Sequence, residues 1–567
     1  MNGIQCGHVV SAALHGIDGV LVDIEVTILP GLPGFEIVGL GDSAVRESRN
    51  RVHAALRNSG YTFPSAKVTA SYAPAWLHKA GSAFDLPLAL AVLAASGQLK
   101  LPVTPVCAFG ELSLTGEIRP VPGVICRLAA CRERDFPMLI LPEDNASEGS
   151  VFADLPLFTA SHLSQITAYF RYAGQDFQRQ AKKEQLSVSA HEHHLNIMDR
   201  LQIKQKARQE DEVQADAGRL PDLSQIAGQK QAIRALQLAA AGWHHLLMLG
   251  SPGCGKTTLA RTLPPLLPPL SNEDALMVTR IHSAAGRLKT KGLITRHPFR
   301  MPHHSISRAA LIGGGLIPVP GEVSMAHQGV LFLDELTAFD PAALDAMRQP
   351  LEEQQVHLYR LNHSFIYPAD FLLIAAANPC RCGEYLEPDS NCNCSPEQIR
   401  RYLGKISGPL IDRFDIVIEM SRLKPDQLMQ SVMSGGSEAH HRPDDVKTGK
   451  SSASPDGSPA CEEMKTPSAD IHMKVMACHE LQKERSLRFE PSPKLNARIG
   501  SDRLAEKLDI PSHLIRYTAD LAQVFKLTAR SYQKVLRLAR TIADYDQYLE
   551  MKKDHIDEAL QYRMRTR

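Results

Sequence analysis

The stretch Gly250-Ser251-Pro252-Gly253-Cys254-Gly255-Lys256-Thr257 follows the spacing G-x-x-x-x-G-K-[ST] of a phosphate-binding loop. An apolar run at 246–249 precedes it and predicts a buried strand, and residues 258–261 predict the start of a helix. Glycines let successive backbone N–H groups face one anion, and the helix N-terminus adds partial positive charge. We therefore expect residues 250–258, Thr258 included, to bind the phosphates of ATP, with Lys256 at the β- and γ-phosphates and Thr257 on Mg²⁺.

Two further predicted strands end in polar residues that suit the same site. Asp334 and Glu335 follow the apolar run 329–333, and Asn378 follows the run 371–377. A carboxylate at a strand end beside a phosphate loop suits Mg²⁺, so Asp334 is predicted to hold the ion or its water. Glu335 is predicted to orient and deprotonate the attacking water. The amide of Asn378 can donate and accept hydrogen bonds there without adding charge.

The composition sets the broad class of the protein. Its 567 residues are too many for one core, and 44% hydrophobic and 22% charged residues are typical of globular proteins. The net charge of +1 gives no global field for a polyanion, so any nucleic-acid surface must be a local patch. We find neither a signal peptide nor an apolar run of membrane-spanning length, and we expect a cytoplasmic protein that does not contact a membrane.

Four of the eleven cysteines crowd into residues 380–394, at Cys380, Cys382, Cys392 and Cys394. Four thiolates this close in sequence can surround one ion tetrahedrally, and Zn²⁺ is the usual occupant. Because a closed set of four leaves no position for water, the predicted role is structural. The alternative is four free thiols in a reducing compartment.

The first 170 residues predict an α+β domain. Strands are expected at 20–28, within 32–40 and at 67–72, and helices at 43–59 and 84–96. The first of these helices carries four arginines, which would face either DNA or only solvent. They are Arg46, Arg49, Arg51 and Arg57.

Residues 79–89 and 109–123 of this domain resemble the Lon protease domain. The comparison puts Ala83 where the nucleophile of Lon would be and Ile125 where its lysine would be. A methyl group cannot attack and a butyl group cannot take a proton. Ser82 is one position away, but no lysine near residue 125 could activate it. We therefore expect a catalytically inactive scaffold.

Residues 222–241 resemble the segment that lies against the adenine in AAA+ ATPases. That resemblance implies that Asn378 is the sensor 1 amide, which positions the lytic water near the γ-phosphate. Residues 407–415 resemble the arginine-finger segment of the magnesium-chelatase and MCM branch. It implies that Arg413 reaches the γ-phosphate of a neighbouring subunit, which requires an oligomer.

Residues 527–544 resemble the lid helix of chelatase-type AAA+ proteins. Arg530 falls at the sensor 2 position, where it would touch the γ-phosphate and report its loss by moving the lid. For Arg413 the alternative is a local salt bridge to Asp412 or Asp415, and for Arg530 it is an ion pair on the helix surface.

A β-hairpin is predicted at 356–367, just before the Asn378 strand. Resemblance to the MCM and chelatase branch implies that it projects into a ring pore. There Arg360 and His363 would contact DNA phosphates and Tyr359 would stack on a base. The basic segment 286–308 is a second candidate insertion, and ordinary surface charge is the alternative for both features.

Residues 296–307, 311–315, 320–327 and 349–352 resemble the YifB/ComM family of magnesium-chelatase-like AAA+ proteins, and the likeness extends over nearly the whole chain. It implies a homo-hexameric ring. For the ComM branch it also implies an ATP-driven DNA motor, a helicase for branch migration in recombination during natural transformation. The DNA would be single-stranded or branched and bound without sequence specificity. The alternative is a chelatase-type AAA+ remodeller of a protein or metal-insertion complex, which would need a separate partner subunit.

These observations predict a multidomain α/β protein. Residues 1–170 would form the Lon-protease-like α+β domain, of the type also seen in ribosomal S5 domain 2. Residues 219–425 would form an AAA+ P-loop α/β core with a parallel sheet, and residues 469–567 a helical lid. Polar residues 171–218 and the Gly/Ser/Pro-rich residues 426–468 would be linkers.

Overall fold

A computed structural model describes most of the chain. The described residues are 6–39, 41–77, 79, 81–180, 221–226, 228–288, 292–315, 318–360, 363–387, 392–422 and 468–563. The two predicted linkers lie outside these ranges, except for residues 171–180 and 468. Among the described residues, no helix has the length and apolar character needed to cross a bilayer.

The N-terminal domain is built on a mixed seven-stranded sheet in the order β3-β4-β2-β1-β5-β8-β9. Its longest element is the antiparallel β1–β2 hairpin, in which alternate residues such as Val9, Ile24 and Val26 are fully buried. The strands are β1 Cys6–His15, β2 Asp18–Leu29, β3 Gly34–Val38, β4 Lys67–Ala73, β5 Cys107–Ala108, β6 Glu111–Leu112, β7 Ile118–Arg119, β8 Leu139–Pro142 and β9 Leu157–Ala160. The helices are α1 Ser43–Asn58, α2 Asp85–Ala95, α3 Val124–Cys131, α4 Ala146–Gly149 and α5 Leu163–Gln180. The strands and helices predicted for this domain are confirmed.

Helix α5 differs from the sequence-based expectation at its end, since it continues ten residues past the predicted domain boundary at residue 170. The change to polar residues does not end the secondary structure, because Gln, Arg and Ala are good helix formers. The guanidinium of Arg171 lies 5.3 Å from the ring centroid of Tyr61, so this part of the helix still packs on the domain.

The motor domain contains a parallel five-stranded sheet in the order β11-β14-β17-β10-β18. Its central strands are apolar on both faces because helices cover both sides. Leu246 and Met248 of β10 face one core, and Leu247 and Leu249 face the other. The strands are β10 Leu246–Gly250, β11 Phe299–Arg300, β12 Gly313–Gly314, β13 Val319–Pro320, β14 Val330–Leu333, β15 Gln355–Arg360, β16 His363–Pro368, β17 Leu372–Ala377 and β18 Ile416–Met420.

Helices surround this sheet, and the predicted strand–loop–helix order around the phosphate loop is confirmed. The motor helices are α6 Lys230–Gly242, α7 Lys256–Arg261, α8 Asn272–Ala284, α9 Arg308–Ile312, α10 Glu322–Met325, α11 Pro341–Ala346, α12 Arg348–Glu353, α13 Pro396–Leu403 and α14 Gly408–Ile411. The predicted hairpin is also confirmed, as β15 pairs with β16 from Gln355 opposite Pro368 to Arg360 opposite His363.

The C-terminal region is helical, as predicted, and shares a core with the motor. Val535, Leu538 and Ile542 of its longest helix belong to the same buried cluster as Leu246 and Phe332 of the sheet. The helices are α15 Ser468–Ser486, α16 Leu504–Lys507, α17 Ser512–Val524, α18 Ala529–Tyr545 and α19 Lys553–Gln561.

The turn between β1 and β2 joins the N-terminal domain to the motor. Asp18 accepts a 2.6 Å hydrogen bond from Arg280, and the ring of His15 lies 4.7 Å from that of Phe365 in the β15–β16 hairpin. Glu148 accepts a 2.6 Å hydrogen bond from Ser283 nearby. The long β1–β2 hairpin therefore has one end on the motor.

Candidate nucleotide-binding site

The phosphate loop connects β10 to α7 as a turn that only glycine allows at two points. Gly253 and Gly255 have φ values of +80° and +92°, in the left-handed region that side chains disfavour. An added Cβ at either position would meet open space, so backbone geometry and not crowding requires glycine. Helix α7 begins at Lys256, which points its N-terminal N–H groups into the loop.

Lys256 lies where β10 and β17 end side by side. Its Nζ donates to the carbonyl oxygens of Gly250 and Ser251, at 2.7 and 3.0 Å, and to Oδ1 of Asn378, at 3.2 Å. The two strands are neighbours in the parallel sheet, so the amide at the end of one meets the lysine that follows the other. The sequence-predicted pair of Lys256 and Asn378 is therefore brought together.

Thr257 and Asp334 form the second contact of this corner. Oγ1 of Thr257 donates to Oδ2 of Asp334 at 2.6 Å. A hydroxyl and a carboxylate oxygen are hard ligands of the kind that Mg²⁺ prefers, so the two residues fit the predicted ion. Thr258 is exposed on the next position of α7, whereas Cys254 is buried under the loop and burial raises the pKa of its thiol.

Glu335 follows Asp334 in a left-handed backbone conformation, with φ of 52°. This conformation costs a non-glycine residue about 1 kcal/mol and is concentrated at functional positions. The N–H of Glu335 donates to Oδ1 of Asp334 at 2.9 Å, and its carboxylate is exposed. The turn thereby gives the two neighbouring carboxylates different surroundings, since Asp334 faces Thr257 and Glu335 faces solvent.

His304 is a neighbour of Glu335 that sequence spacing does not assign to this site. Its Nδ1 lies 3.6 Å from Oε2 of Glu335. Its ring centroid is 4.1 Å from that of His303, and Phe339 approaches it edge-on. The quoted stretch 296–307 contains this histidine, but no spacing rule connects it to a strand end thirty residues away.

Arg413 and Arg530 meet at one carboxylate. Both guanidinium groups donate to Oε1 of Glu352 on α12. In the part of the chain that the structure describes, neither arginine makes a hydrogen bond or ion pair with the residues around Lys256. Arg413 also bonds to neither of the acids considered from sequence, Asp412 and Asp415. Glu352 was part of a quoted resemblance, but sequence alone gave it no role.

Helix α18 holds the Arg413 segment from behind. Nζ of Lys534 donates to the carbonyl oxygen of Arg413 at 2.7 Å and lies 2.8 Å from Oδ1 of Asp415. Burial alone would raise the pKa of Asp415, but the Lys534 ammonium together with the nearby His244 and His245 outweighs burial and holds that pKa well below its usual range. The charged pair fixes the base of Arg413 while its tip reaches Glu352.

The four cysteines lie together beside the phosphate loop. The Sγ–Sγ distances are 3.2 Å for Cys380–Cys382, 3.8 Å for Cys380–Cys392, 3.5 Å for Cys382–Cys392 and 3.6 Å for Cys382–Cys394. Tetrahedral Zn–S bonds of about 2.3 Å place sulfurs about 3.8 Å apart, so the donor set fits one zinc ion. All four ligand atoms fall within 4.8 Å of one another.

Comparison with known proteins gives the family of the chain. Family models of magnesium chelatase subunit ChlI match residues 222–428, 24–145 and, for its C-terminal region, 465–563. YifB of Escherichia coli is 36% identical over 552 residues, which cover 97% of this chain and 96% of YifB. The chain belongs to the YifB/ComM family of magnesium-chelatase-like AAA+ proteins. ATP binding, Mg²⁺ and an ATPase class follow from that membership.

Two other relatives bear on the finer expectations. Competence protein ComM of Haemophilus influenzae is 35% identical over 560 residues, which cover 99% of this chain and 97% of ComM. Lon protease 2 of Bacillus subtilis is 30% identical over 174 residues, which cover 27% of this chain and 31% of that protein. The likeness to Lon is therefore partial, whereas the YifB/ComM likeness extends from end to end.

The β15–β16 hairpin presents an aromatic ring to solvent. The side chain of Tyr359 is 74% exposed and Ile366 is 50% exposed, while Val356 and Tyr367 anchor the base of the hairpin in the core. Arg360 and His363 pair at the tip by their backbone register, and their side chains lie outside what the structure describes.

Two arginines of the second candidate insertion, 286–308, are held within the domain. Arg287 and Arg300 both bond to the carboxylate of Glu322, with distances of 2.7–2.8 Å, and Arg300 belongs to the edge strand β11. One carboxylate balances only one of these two charges, and Arg296 and Arg308 are exposed, so pore contact by this segment stays a prediction. Lys289 and Lys291 lie outside the described residues.

Proposed function

We propose that this protein is an ATP-driven DNA motor that acts as a homo-hexameric ring, with a helicase or branch-migration role in recombination during natural transformation. The observation that carries the proposal is that the motif residues form two clusters. Lys256, Thr257, Asp334 and Asn378 lie at one corner, while Arg413 and Arg530 both bond to Glu352 and, among the described residues, to no member of that corner. The near full-length likeness to competence protein ComM supports the biological setting.

The phosphate corner contains what hydrolysis of an anhydride needs. Backbone N–H groups of the loop and the Lys256 ammonium would bind the phosphates of ATP. Thr257 and Asp334 would hold Mg²⁺, which supplies charge neutralisation on the phosphates when bound. Glu335 would take a proton from the attacking water, and Asn378 would orient that water with its amide. His304 beside Glu335 would set the direction of its carboxylate.

Arg413 and Arg530 would serve the seam, meaning the interface between neighbouring copies. An arginine supplied by a neighbour stabilises the charge of phosphoryl transfer and is worth about 10³–10⁵ in rate in well-studied cases. Glu352 would keep both guanidinium groups together until a neighbour's nucleotide competes for them. Because Lys534 of the lid also holds the backbone of Arg413, lid movement and finger position would be linked.

The hairpin would carry the force to DNA. Tyr359 offers an exposed ring for a base, and Arg360 and His363 at the tip would contact phosphates. Backbone contacts of this kind make binding salt-sensitive and blind to sequence. The hairpin contacts the N-terminal domain through Phe365 and His15, so movement of the hairpin would be transmitted to that domain.

A chelatase-type remodeller of a protein or metal-insertion complex is the alternative function. The family models of magnesium chelatase fit it as well as they fit a DNA motor. The exposed aromatic ring on the hairpin and the name of ComM favour DNA. ATP turnover that rises with forked DNA would support the motor, and turnover that rises only with a protein or porphyrin would support the remodeller.

Mixing two inactive variants tests the ring directly. Arg413→Ala keeps an intact phosphate corner, and Glu335→Gln keeps an intact arginine pair. In randomly mixed rings, roughly a quarter of seams combine both intact halves, so we expect about a quarter of wild-type turnover from an equimolar mixture. Arg516→Ala, at an exposed lid position, is the matched control that should keep full activity alone. A mixture no more active than its components would refute catalysis across the seam.

The four-cysteine cluster would hold a structural zinc ion that braces the phosphate loop. Gly383, next to Cys382, packs so closely on Pro252 that an added Cβ would lie 2.5 Å from Cδ of that proline. We expect one zinc per chain by elemental analysis, and Cys382→Ser should lose the metal and weaken ATP binding. Cys6→Ser, at an exposed cysteine of β1, is the control. A metal-free wild-type protein with full ATP affinity would contradict the assignment.

A further inference from the structure

An open groove of about 750 Å³ runs along the N-terminal domain, between α1 and the segment 61–65. Its lining includes Arg49, His53 and Arg57 from the helix, and Phe35 and Phe63 from across the groove. We propose that this groove is a second binding site for single-stranded nucleic acid, separate from the pore hairpin. It extends the proposed function, because it gives the motor a site that grips a strand outside the ring.

Two arginines and a histidine of the groove lie on one face of α1, and the described part of the chain places no carboxylate against the arginines. Arg49, His53 and Arg57 recur every four residues, which places them along one side of a helix. Among the described residues, no carboxylate pairs with Arg49 or Arg57, and Arg49 reaches only the carbonyl oxygen of Phe35, at 3.4 Å. Arg51, on another face, instead bonds to Asp85 at 2.7 Å.

The acids near the groove are already occupied. Glu36 of β3 lies 3.1 Å from Nζ of Lys67, and Asp42 caps α1 through the N–H of Val45. Glu47 of α1 lies 3.9 Å from Arg51 and so belongs to the other face. The groove therefore presents net positive charge, which suits a phosphate backbone.

Aromatic rings complete the composition of a single-strand site. The ring of Phe63 lies 4.7 Å from that of His53 and 5.6 Å from that of Phe35, and Phe63 is only half-buried. Rings beside cations are the combination that binds single strands, because every base can stack and every nucleotide carries a phosphate. A purely solvated charged helix face would not need the rings.

The groove lies far from the motor along the β1–β2 hairpin. Asp18 at one end of β2 contacts the motor, and Ile28 at the other end lies beside Val68, which in turn pairs with Phe35. Ten residues of strand span about 33 Å. A nucleic-acid strand bound in the groove is therefore remote from the β15–β16 hairpin, and mutations can test the two sites separately.

Binding of a fluorescein-labelled 20-nucleotide oligo-dT to the full-length protein, followed by anisotropy, tests the proposal. Arg49→Glu with Arg57→Glu should raise the Kd at least tenfold, and the slope of log affinity against log salt should shrink by about 1.4 as two phosphate contacts are lost. Phe63→Leu keeps apolar bulk but removes the ring, and should weaken binding at least fivefold. Arg516→Glu with Lys474→Glu changes the charge equally at exposed lid positions and should leave the Kd within about twofold.

Unchanged affinity of the groove variant, or an equal loss in the lid variant, would overturn the proposal. If the reversed charges lower the melting temperature, Arg49→Gln with Arg57→Gln replaces them and should still weaken binding about fivefold. Failure of the wild-type protein to bind oligo-dT would overturn the groove proposal, whereas ATP turnover that does not rise with forked DNA would refute the DNA motor. Tight binding and DNA-stimulated turnover in the wild type, with the groove variant binding equally well, would remove only the groove.

Discussion

One hydroxyl–carboxylate hydrogen bond in the motor and one in the N-terminal domain can be compared, and their surroundings differ. Thr257 donates to Asp334 in the motor, and Ser82 donates to Glu111 in the N-terminal domain. Lys256 lies next to Thr257 and contacts Asn378 at the end of β17. The phosphate loop beside them has glycines that face open space. Lys256 and Thr257 therefore have hydrogen-bond partners within the motor, but they lie beside open space.

Two charged groups near Ser82 are also hydrogen-bonded within their domain, but they are fully buried. Lys79 is fully buried, donates to the carbonyl oxygens of Tyr72 and Pro74, and has its pKa lowered by burial. Asp85 is bound by Arg51 through two hydrogen bonds. The comparison teaches that the two regions differ in access and not in hydrogen bonding, because the two charged groups near Ser82 are fully buried whereas those near Thr257 border an open loop.

The largest expected effect is on turnover at the motor corner. Glu335→Gln should lower the ATP hydrolysis rate about 10²–10⁴-fold, because the amide cannot accept the proton of water. Nucleotide affinity, measured with a fluorescent ATP analogue, should stay within about threefold of wild type, since Lys256 and Thr257 are intact. Glu397→Gln, at an exposed position of α13, is the control. A fully active Glu335→Gln enzyme would remove Glu335 from the mechanism.

The next effect is on the stability of the N-terminal domain, at the Arg51–Asp85 pair near Ser82. Arg51→Met leaves Asp85 buried without its partner and should cost about 3–5 kcal/mol of unfolding free energy. Adding Asp85→Leu should recover most of that loss, because neither charge then remains. The chain has two tryptophans, Trp76 in this domain and Trp243 in the motor, so a Trp243→Phe background reports the N-terminal domain by fluorescence. Equal stability of the single and double variants would contradict a buried ion pair.

Local patterns predicted the elements because each decisive signal lay within one window. Periodicity gave the strands at 20–28 and 67–72 and the helix at 43–59, and the phosphate loop fixed the order of strand and helix around it. The prediction ended α5 too early, because a change to polar residues does not by itself end a helix. Sheet order was not deducible, since the contacts that decide it join distant parts of the chain.

The candidate site was predictable where sequence spacing carries the chemistry. Lys256, Thr257, Asp334 and Asn378 were named from motifs, and the structure brings them together. Glu352 and His304 were missed as partners because their roles arise only from proximity in the fold. Sequence also does not show which arginines have an internal partner, as Arg287 and Arg300 have in Glu322.

Lowering the pH should change the unfolding free energy of the two domains differently, by a smaller amount than the Arg51 substitution. Burial lowers the pKa of His245 to about 3, and its Nδ1 accepts the N–H of Leu373, so the folded motor keeps it neutral. An unfolded histidine titrates near 6.5, so this stability is present above pH 6.5 and is lost as pH falls, by about 2 kcal/mol at pH 5. Burial raises the pKa of Asp85 to about 6, so its contribution has the opposite sign over this range.

Fluorescence of Trp243 in a Trp76→Phe background measures this loss in the motor. His245→Gln should flatten the dependence of unfolding free energy on pH between 7 and 5, whereas His513→Gln, at an exposed position, should leave it unchanged. Equal slopes for wild type and His245→Gln would show that His245 is not the titrating group.

The smallest expected effect separates the two hydroxyls themselves. Ser82→Ala removes one hydrogen bond at a half-exposed position and should change stability by about 1 kcal/mol or less, with ATP turnover unaltered. Thr257→Val removes the matching bond in the motor and should lower turnover at least about tenfold, because the hydroxyl would also hold Mg²⁺. Wild-type protein should release no peptide from casein, since Ala83 and Ile125 leave Ser82 without a base. Casein cleavage that Ser82→Ala abolishes would reverse the comparison, because the N-terminal domain would then hold a working site whose internal bonds open for substrate.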